Sequence, residues 1–428
     1  MTIFDFNPWW KSLKVPEFFI GKHRNIFDKI ITYLDYRQII LLFGLRRAGK
    51  TTIMYQIIDY LLQKKKIQTF NILYFSFDEQ KMDLDEILEV YQTSALKEAI
   101  DSDNKIFLFV DEIQKLNDWA NKIKLIYDRY PNIKIFISGS SNLSLQSNSK
   151  ESLAGRFFEF LIEPMHFDEF VRFKGISIDE AREDLYEKEL KVTFLSYLKT
   201  GGFIETIDFD KITLKKYMKE SILERVIYKD IPDTFQINTP ELLLKLLYVI
   251  ASNPGMYLDY KLLGNDLKVD QRTISNYISY LCHSLLIKKM YNFSKNRLTS
   301  EKKIKRIYFN NTGFIYALNA DSFPLDLVIE NYFAYLFKSH FFYRSPQKNE
   351  VDIIIDKDEN ILPVEIKIRN QLRPKDYKNL NMFMKKFHVN NAVLISKNHE
   401  SIKEFDGLKI FTLPYWKYWS IQKRIKNM

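Results

Sequence analysis

Cysteine is almost missing from this chain, with one residue, Cys282, in 428. That excludes an internal disulfide and any metal site built on a cysteine cluster. Apolar runs such as "IILLF" and "IFLFV" fall far short of the ~20 residues a membrane-spanning helix needs. The opening, "MTIFDFNPWWKSLK", lacks the basic-then-apolar order of a signal peptide. Together these absences predict a cytoplasmic protein. Glycine is scarce too, 12 residues where ordinary usage of roughly 7% would give about 30. A rare glycine marks a backbone need that other residues cannot meet. Gly44 and Gly49 share one loop, Gly139 ends an apolar run, Gly155 precedes an arginine, and Gly201–Gly202 form a pair.

The length allows two or three domains, each with its own core. Hydrophobic residues make up 46% and charged residues 28%, a globular rather than disordered composition. The charge is unevenly spread. Residues 1–200 hold 28 Lys/Arg against 29 Asp/Glu, and residues 201–428 hold 36 against 25. A near-neutral half followed by a half of net charge +11 suggests a polyanion partner for the second half; a merely lysine-rich surface is the plainer alternative.

"QIILLFGLRRAGKTTIMYQIIDYLL" sets a buried-type strand before Gly44-x-x-x-x-Gly49-Lys50-Thr51, and a helix with apolar Ile53, Ile57 and Leu61 after it. That order is the context a P-loop requires. Backbone N–H groups of Gly44, Leu45, Arg46, Arg47, Ala48 and Gly49 would turn toward phosphates at the helix start, beside Thr52. Lys50 would reach the β- and γ-phosphates of ATP, and the Thr51 hydroxyl would ligate Mg²⁺. Further on, "KIFLFVDEIQ" is a continuous apolar strand ending in Asp111-Glu112. Asp111 would hold Mg²⁺ through water, and Glu112 would polarise the attacking water. "IKIFISGSSN" then offers Ser140, Ser141 and Asn142 beside the γ-phosphate, or simply a polar turn. Arg156 in "LAGRFFEF" suits either a finger on a neighbouring nucleotide, which needs a homo-oligomer, or a pair with a surface carboxylate. Strands at 38–43, 71–77, 106–110 and 133–138 alternate with helical stretches, which predicts a parallel α/β core.

"GLRRAGKTT", "FVDEIQKLNDW", "FISGSSNLSL", "LAGRFFEFLIEPMHFDEF" and "YLKTGGFIET" resemble the AAA+-type ATPases of archaea and bacteria in which a winged helix and a restriction-nuclease-like domain follow the ATPase module. "FNPWW" is similar to the archaeal members. One departure is visible: the lid motif of that family usually reads Gly-Gly-Phe-Pro, and this chain has Gly201-Gly202-Phe203-Ile204. The resemblance implies an α/β multidomain protein: a P-loop AAA+ ATPase at 1–175, a helical lid at 176–235, a winged helix-turn-helix at 236–315 and a PD-(D/E)xK nuclease-like domain at 316–428.

Residues 240–310 read as helices followed by a hairpin. Asp259 and Asp270 are placed to cap two helices joined by a tight "KVD" turn. Ile274, Ile278, Leu281 and Leu285 make one apolar stripe. The opposite face carries Arg272, Asn276 and Ser279, groups able to reach bases or phosphates. "IKKMYNF" and "IKRIYFN" read as strands around the loop "SKNRLTSEKK", a wing bearing Lys295, Arg297, Lys302 and Lys303. The layout suits DNA binding, and it also suits a winged helix that only joins domains.

In "NEVDIIIDKDENILPVEIKI" a turn centred between Asp358 and Glu359 sets residue 352 opposite residue 365. Alternation then gives an apolar face of Val351, Ile353, Ile355, Leu362, Val364, Ile366 and Ile368, and a face holding Asp352, Glu365 and Lys367. Neighbouring carboxylates repel unless a cation lies between them. Glu350 facing Lys367 would make the plainer arrangement, a salt-bridge ladder. The order helix, three strands, helix, strand is similar to the PD-(D/E)xK nuclease core. That resemblance implies Mg²⁺ held by Asp352 and Glu365, with Glu330 as a further carboxylate and Lys367 activating water. The expected function is ATP binding and hydrolysis coupled to DNA binding and Mg²⁺-dependent DNA cleavage. The alternative is a nucleotide-switched DNA-binding regulator or scaffold with an inert nuclease fold.

Overall fold

A computed structural model describes residues 2–79, 82–101, 103–141, 153–319, 323–357 and 360–427, and the side chain of Arg297 lies outside that description. The chain divides into two compact units, Met1–Met165 and His166–Met428. No helix among the described residues is long and apolar enough to cross a membrane.

The first unit is built on five parallel strands: β1 (Ile39–Phe43), β2 (Ile72–Ser76), β3 (Ile106–Asp111), β4 (Ile133–Gly139) and β5 (Phe157–Leu161), in the order β2-β3-β4-β1-β5. Every residue of β2, β3 and β4 is buried. This is why these strands read as continuous apolar runs rather than alternating ones. The "FFEFL" strand β5 was not expected. It pairs with β1 from Ile39↔Phe157 to Phe43↔Leu161 and makes one edge of the sheet. The other edge, β2, is covered by the opening segment. Trp9 and Trp10 both donate their ring N–H to the Ile72 carbonyl, at 3.2 and 3.0 Å. Asn7 brackets Tyr74, donating to its carbonyl at 2.9 Å and accepting its N–H at 2.7 Å. The "FNPWW" segment therefore satisfies a sheet edge that would otherwise be open to pairing.

The second unit carries a mixed eight-stranded sheet in the order β12-β13-β11-β10-β9-β8-β6-β7. Its strands are β6 (Ile287–Asn292), β7 (Lys305–Phe309), β8 (Phe341–Arg344), β9 (Glu350–Lys357), β10 (Asn360–Lys367), β11 (Asn391–Ser396), β12 (Ser401–Phe405) and β13 (Leu408–Pro414). The hairpin β6–β7 belongs to this sheet, because β6 runs parallel to β8 through Tyr291↔Phe341 and Asn292↔Phe342. The sheet thus takes strands from both sides of the expected boundary at 315. Before the hairpin come helices Pro240–Ser252, Tyr260–Leu267 and Gln271–His283. Asp259 accepts from the Lys261 and Leu262 N–H groups, and Asp270 from that of Arg272, as N-caps do. The expected wing loop contains a short helix, Arg297–Lys302, with Asn296 as its cap. Helices Leu325–Leu336 and Lys375–Phe387 flank the C-terminal strands.

Gly201 ends the helix Glu187–Thr200 at φ 61°. A Cβ there would lie 1.9 Å from Asn311 Oδ1, and the Asn311 amide donates to the Gly201 carbonyl at 2.6 Å. The pair Gly201–Gly202 thus serves a close approach inside the second unit.

Candidate functional site

The carboxyl ends of β1, β3 and β4 lie together, because Phe43 pairs with Gly139, Val110 with Ile137 and Ser76 with Asp111. The loop after β1 begins at Gly44, whose φ is 154° and whose missing Cβ would lie 2.3 Å from the Ile162 carbonyl oxygen. No other residue fits between β1 and the end of β5. Gly49, at φ 94°, starts the helix Lys50–Gln63. Arg46 is half-buried, Arg47 is exposed at φ 64°, and Leu45 and Ala48 are buried. The Lys50 ammonium is buried and folds back on the loop, donating to Gly44 O at 3.2 Å and Leu45 O at 3.0 Å.

Asp111 is buried and gathers hydroxyls. Thr51 Oγ1 donates to its Oδ2 at 2.7 Å, Tyr74 OH to the same oxygen at 2.9 Å, and Ser138 Oγ to Oδ1. Burial, with the Asp111 charge beside it, pushes the Tyr74 phenol well up, so it stays a donor. Glu112 has φ 53° and accepts from the Gln114 side chain at 2.6 Å, while Gln114 Oε1 accepts the Ser140 N–H at 3.4 Å. A cavity of about 300 Å³ opens here, lined by Thr51, Thr52, Asp111 and Glu112 together with Phe19 and Tyr55. Arg24, from the segment before β1, is buried and donates to Ala48 O at 3.3 Å and Glu163 O at 3.2 Å, fixing the back of the loop. Sequence reasoning missed Tyr74, Ser138, Gln114 and Arg24. Only the "IQ" that follows Asp111-Glu112 carried a local signal. Ser140 is half-buried, Ser141 is buried, and Asn142 lies outside the described residues. Arg156 pairs with Asp128 (3.1 and 3.4 Å) on its own unit, the second of the two roles expected for it. ATP with Mg²⁺ fits this donor set: buried ammonium, glycine turn, and hydroxyl–carboxylate pair at the carboxyl ends of β1 and β3.

The second candidate site lies on β9 and β10. Pairing runs from Asn360↔Lys357 to Val364↔Ile353, the register expected. Strict alternation fails at its end. Phe341 of β8 pairs with Ile354 and Tyr343 with Val351, so β9 holds one extra residue there. Val351 and Ile354, three apart, consequently share one core cluster. The bulge re-aims the neighbouring side chain. Asp352 Oδ2 accepts the Ile366 N–H at 2.9 Å, and Glu365 Oε2 accepts the Asp352 N–H at 3.4 Å. Lys367 Nζ lies 2.5 Å from Glu365 and 3.6 Å from Asp352. The expected ladder partner of Lys367, Glu350, turns instead to Arg344 at 2.9 Å and to Tyr257.

Glu330 does not reach this pair as a free ligand. It accepts from Arg306 at 3.0 Å and from Tyr308 OH at 2.7 Å, and Arg306 also lies 3.9 Å from Asp352. Burial pushes the Glu330 carboxyl up to about 7 and that of Glu365 up to about 8, with the Asp352 charge adding to both. Burial alone would lower the Lys367 ammonium, but Asp352 and Glu365 hold it above the ordinary lysine range. Among the described residues, no group of three His, Cys, Asp or Glu is placed to hold a metal ion. The expected Mg²⁺ set of Glu330, Asp352 and Glu365 therefore does not fit as it stands, because two cationic side chains already occupy the space a metal would neutralise.

Of the expected nucleic-acid contacts, Arg272, Asn276, Lys295 and Lys302 are exposed and Lys303 is half-buried. The Arg297 side chain lies outside the described residues.

Three family matches cover most of the chain. Residues 36–171 match the AAA domain, residues 192–324 a domain of unknown function (DUF8612), and residues 326–416 another (DUF4143). An uncharacterized protein of Methanocaldococcus jannaschii is 31% identical over 302 residues, 65% of this chain and 62% of its own length. A second from that organism is 26% identical over 418 residues, 93% of this chain and 91% of its own. An uncharacterized protein of Haemophilus influenzae is 24% identical over 408 residues, 92% and 97%. The chain thus spans under two thirds of the first relative and nearly all of the other two. Among solved structures, the Walker-type ATPase PABY2304 of Pyrococcus abyssi matches at 15% identity and TM-score 0.39, covering 71% of this chain and 97% of that one. The chain carries an AAA-type ATPase domain at residues 36–171, and that match supports ATP binding and hydrolysis there.

Proposed function

We propose that this protein hydrolyses ATP at the Lys50–Asp111 site and uses the nucleotide state to control DNA binding by its second unit. The observation that carries the first step is the Thr51–Asp111 hydrogen bond of 2.7 Å, which joins the start of a helix to the end of β3 where a phosphate-bound cation would sit. When bound, Mg²⁺ neutralises charge on the phosphates. Thr51 and Asp111 would hold it. Lys50 would exchange its bonds to Gly44 O and Leu45 O for phosphate oxygens. Glu112, steadied by Gln114, would orient a water and take its proton, so that ATP and water give ADP and phosphate. Replacing Lys50 by Ala or Glu112 by Gln should lower phosphate release on the order of 100-fold or more. An unchanged rate in Lys50→Ala would remove this assignment.

DNA as the partner rests on the charge of residues 201–428 and on Arg272, Asn276, Lys295 and Lys302, exposed on the three-helix and hairpin region. That region reads as a winged helix. Binding of labelled duplex and single-stranded DNA with ATP, with ADP and without nucleotide tests the coupling. The same affinity in all three states would refute it.

A second reading, phosphodiester cleavage at Asp352, Glu365 and Lys367, is favoured by the approach of Lys367 to Glu365 at 2.5 Å and to Asp352 at 3.6 Å. Incubation of labelled DNA with Mg²⁺ or Mn²⁺, for wild type and Glu365→Gln, decides between a cutting site and a regulator.

A further inference from the structure

The acidic cluster on β9 and β10 has a charge pattern that a metal site does not need. A divalent cation requires carboxylate oxygens free to converge on it at about 2.0–2.6 Å. Here five of the six oxygens face a donor or a cation. Glu330 Oε1 takes bonds from Arg306 and Tyr308. Asp352 Oδ1 faces Arg306 at 3.9 Å, and Oδ2 takes the Ile366 N–H with Lys367 at 3.6 Å. Glu365 Oε1 faces Lys367 at 2.5 Å, and Oε2 takes the Asp352 N–H.

Arg306 is the unusual member. It comes from β7 rather than from the β9–β10 hairpin, and it is held from every side. Its strand pairs with β6 through Met290↔Arg306 and with the segment between helices Pro240–Ser252 and Tyr260–Leu267 through Tyr257↔Arg306. The Leu258 N–H donates to Lys305 O at 2.8 Å, and the Ile307 N–H to Met256 O at 3.1 Å. The guanidinium carbon lies 5.5 Å from the Tyr257 ring centre, 5.6 Å from Phe342 and 5.9 Å from Tyr308, a cage suited to a planar cation. Gly255 leaves room for two of its partners: a Cβ there would lie 3.0 Å from the Tyr308 ring and 3.2 Å from Glu330 Oε1. Arg306 Nε is buried with no acceptor. Its place is therefore set by the carboxylates and rings, not by saturation of its own donors. An arginine cannot yield its place by losing a proton.

We propose that Arg306 is the resident cation of the Glu330–Asp352–Glu365 cluster and excludes a divalent metal from it, which makes the second unit a DNA-binding module that does not cut. The proposal deepens the DNA-binding reading above and rests on it for the word DNA alone. A metal entering between Glu330 and Asp352 would meet a fixed positive charge within about 4 Å, in surroundings where such repulsion is poorly screened.

The test uses the full chain without nucleotide or DNA and counts bound Mn²⁺ by electron paramagnetic resonance. Wild type and Glu365→Gln should bind equally little. Arg306→Met should gain one Mn²⁺ per chain, and Arg306→Met with Glu365→Gln should lose it again. Folding is checked by circular dichroism. If the methionine variant does not fold, Arg306→Gln, which can still donate to Glu330, should show the same gain. Mn²⁺ bound by wild type and lost in Glu365→Gln overturns the proposal, as does a folded Arg306 variant that gains none. Because neither DNA nor ATP is present, either result leaves nucleotide-controlled DNA binding to be decided by its own assay.

Discussion

Glu365 and Glu330 are buried carboxyls pushed up to about 8 and about 7, by burial first and by Asp352 second. In the unfolded chain both would titrate near 4.3. Between those limits the folded protein holds more protons than the unfolded one, so stability falls as pH rises. The expected outcome is a melting temperature that declines from pH 5 to pH 8, with a smaller decline in Glu365→Gln. Parallel curves for the two proteins would show that Glu365 is ionised in the fold throughout. Residues at this scale were unevenly legible in the sequence. That Lys50, Thr51, Asp111 and Glu112 lie together could be read, because fixed spacing along the chain puts them at the ends of neighbouring elements. Tyr74, Ser138, Arg24 and Arg306 could not, since each acts through an approach made only by folding. Arg306 sits in "KKIKRIYFN" among other basic residues, and nothing local separates it from them.

Elements were legible where one physical signal dominated. The apolar runs at β1 to β4 and the Asp259 and Asp270 caps lie where the pattern puts them. Where no one signal dominated, the reading failed, as two cases show. The strand β5 mixes aromatics with Glu159, and its burial is only partial, so it carries no clean period. The alternation expected across Asp352 breaks because β8, a different stretch of chain, imposes a register shift. The glycine pair is an element-scale feature as well. It belongs to the end of the helix Glu187–Thr200 and its contact with Asn311, and no nucleotide role is needed to explain it. Gly201→Ala would combine a strained positive φ with a collision at Asn311. It should cost about 1–3 kcal/mol, measured as a lower urea midpoint with an unchanged slope. Nucleotide affinity of the folded variant should stay at the wild-type value. A selective loss of ATP binding at full stability would instead return this turn to the nucleotide site.

For the whole molecule, the uneven charge decides which partner is sought. Residues 1–200 are near neutral and residues 201–428 carry a net +11, so a polyanion would gain its contacts from the second part. DNA binding that releases counterions weakens linearly in log affinity against log salt, with a slope near −0.9 per phosphate neutralised on duplex DNA. Arg272→Ala and Lys302→Ala remove exposed cations from different elements, the helix Gln271–His283 and the short helix between β6 and β7. Each should weaken binding and reduce the slope by about 1. Lys50→Ala should leave the slope unchanged, because that ammonium is buried in the other unit, but should abolish the difference between ATP and ADP. DNA binding without salt dependence would show that phosphates are not what the basic half recognises. No DNA binding even at low salt, with ATPase activity intact, would leave the basic half to a partner other than nucleic acid.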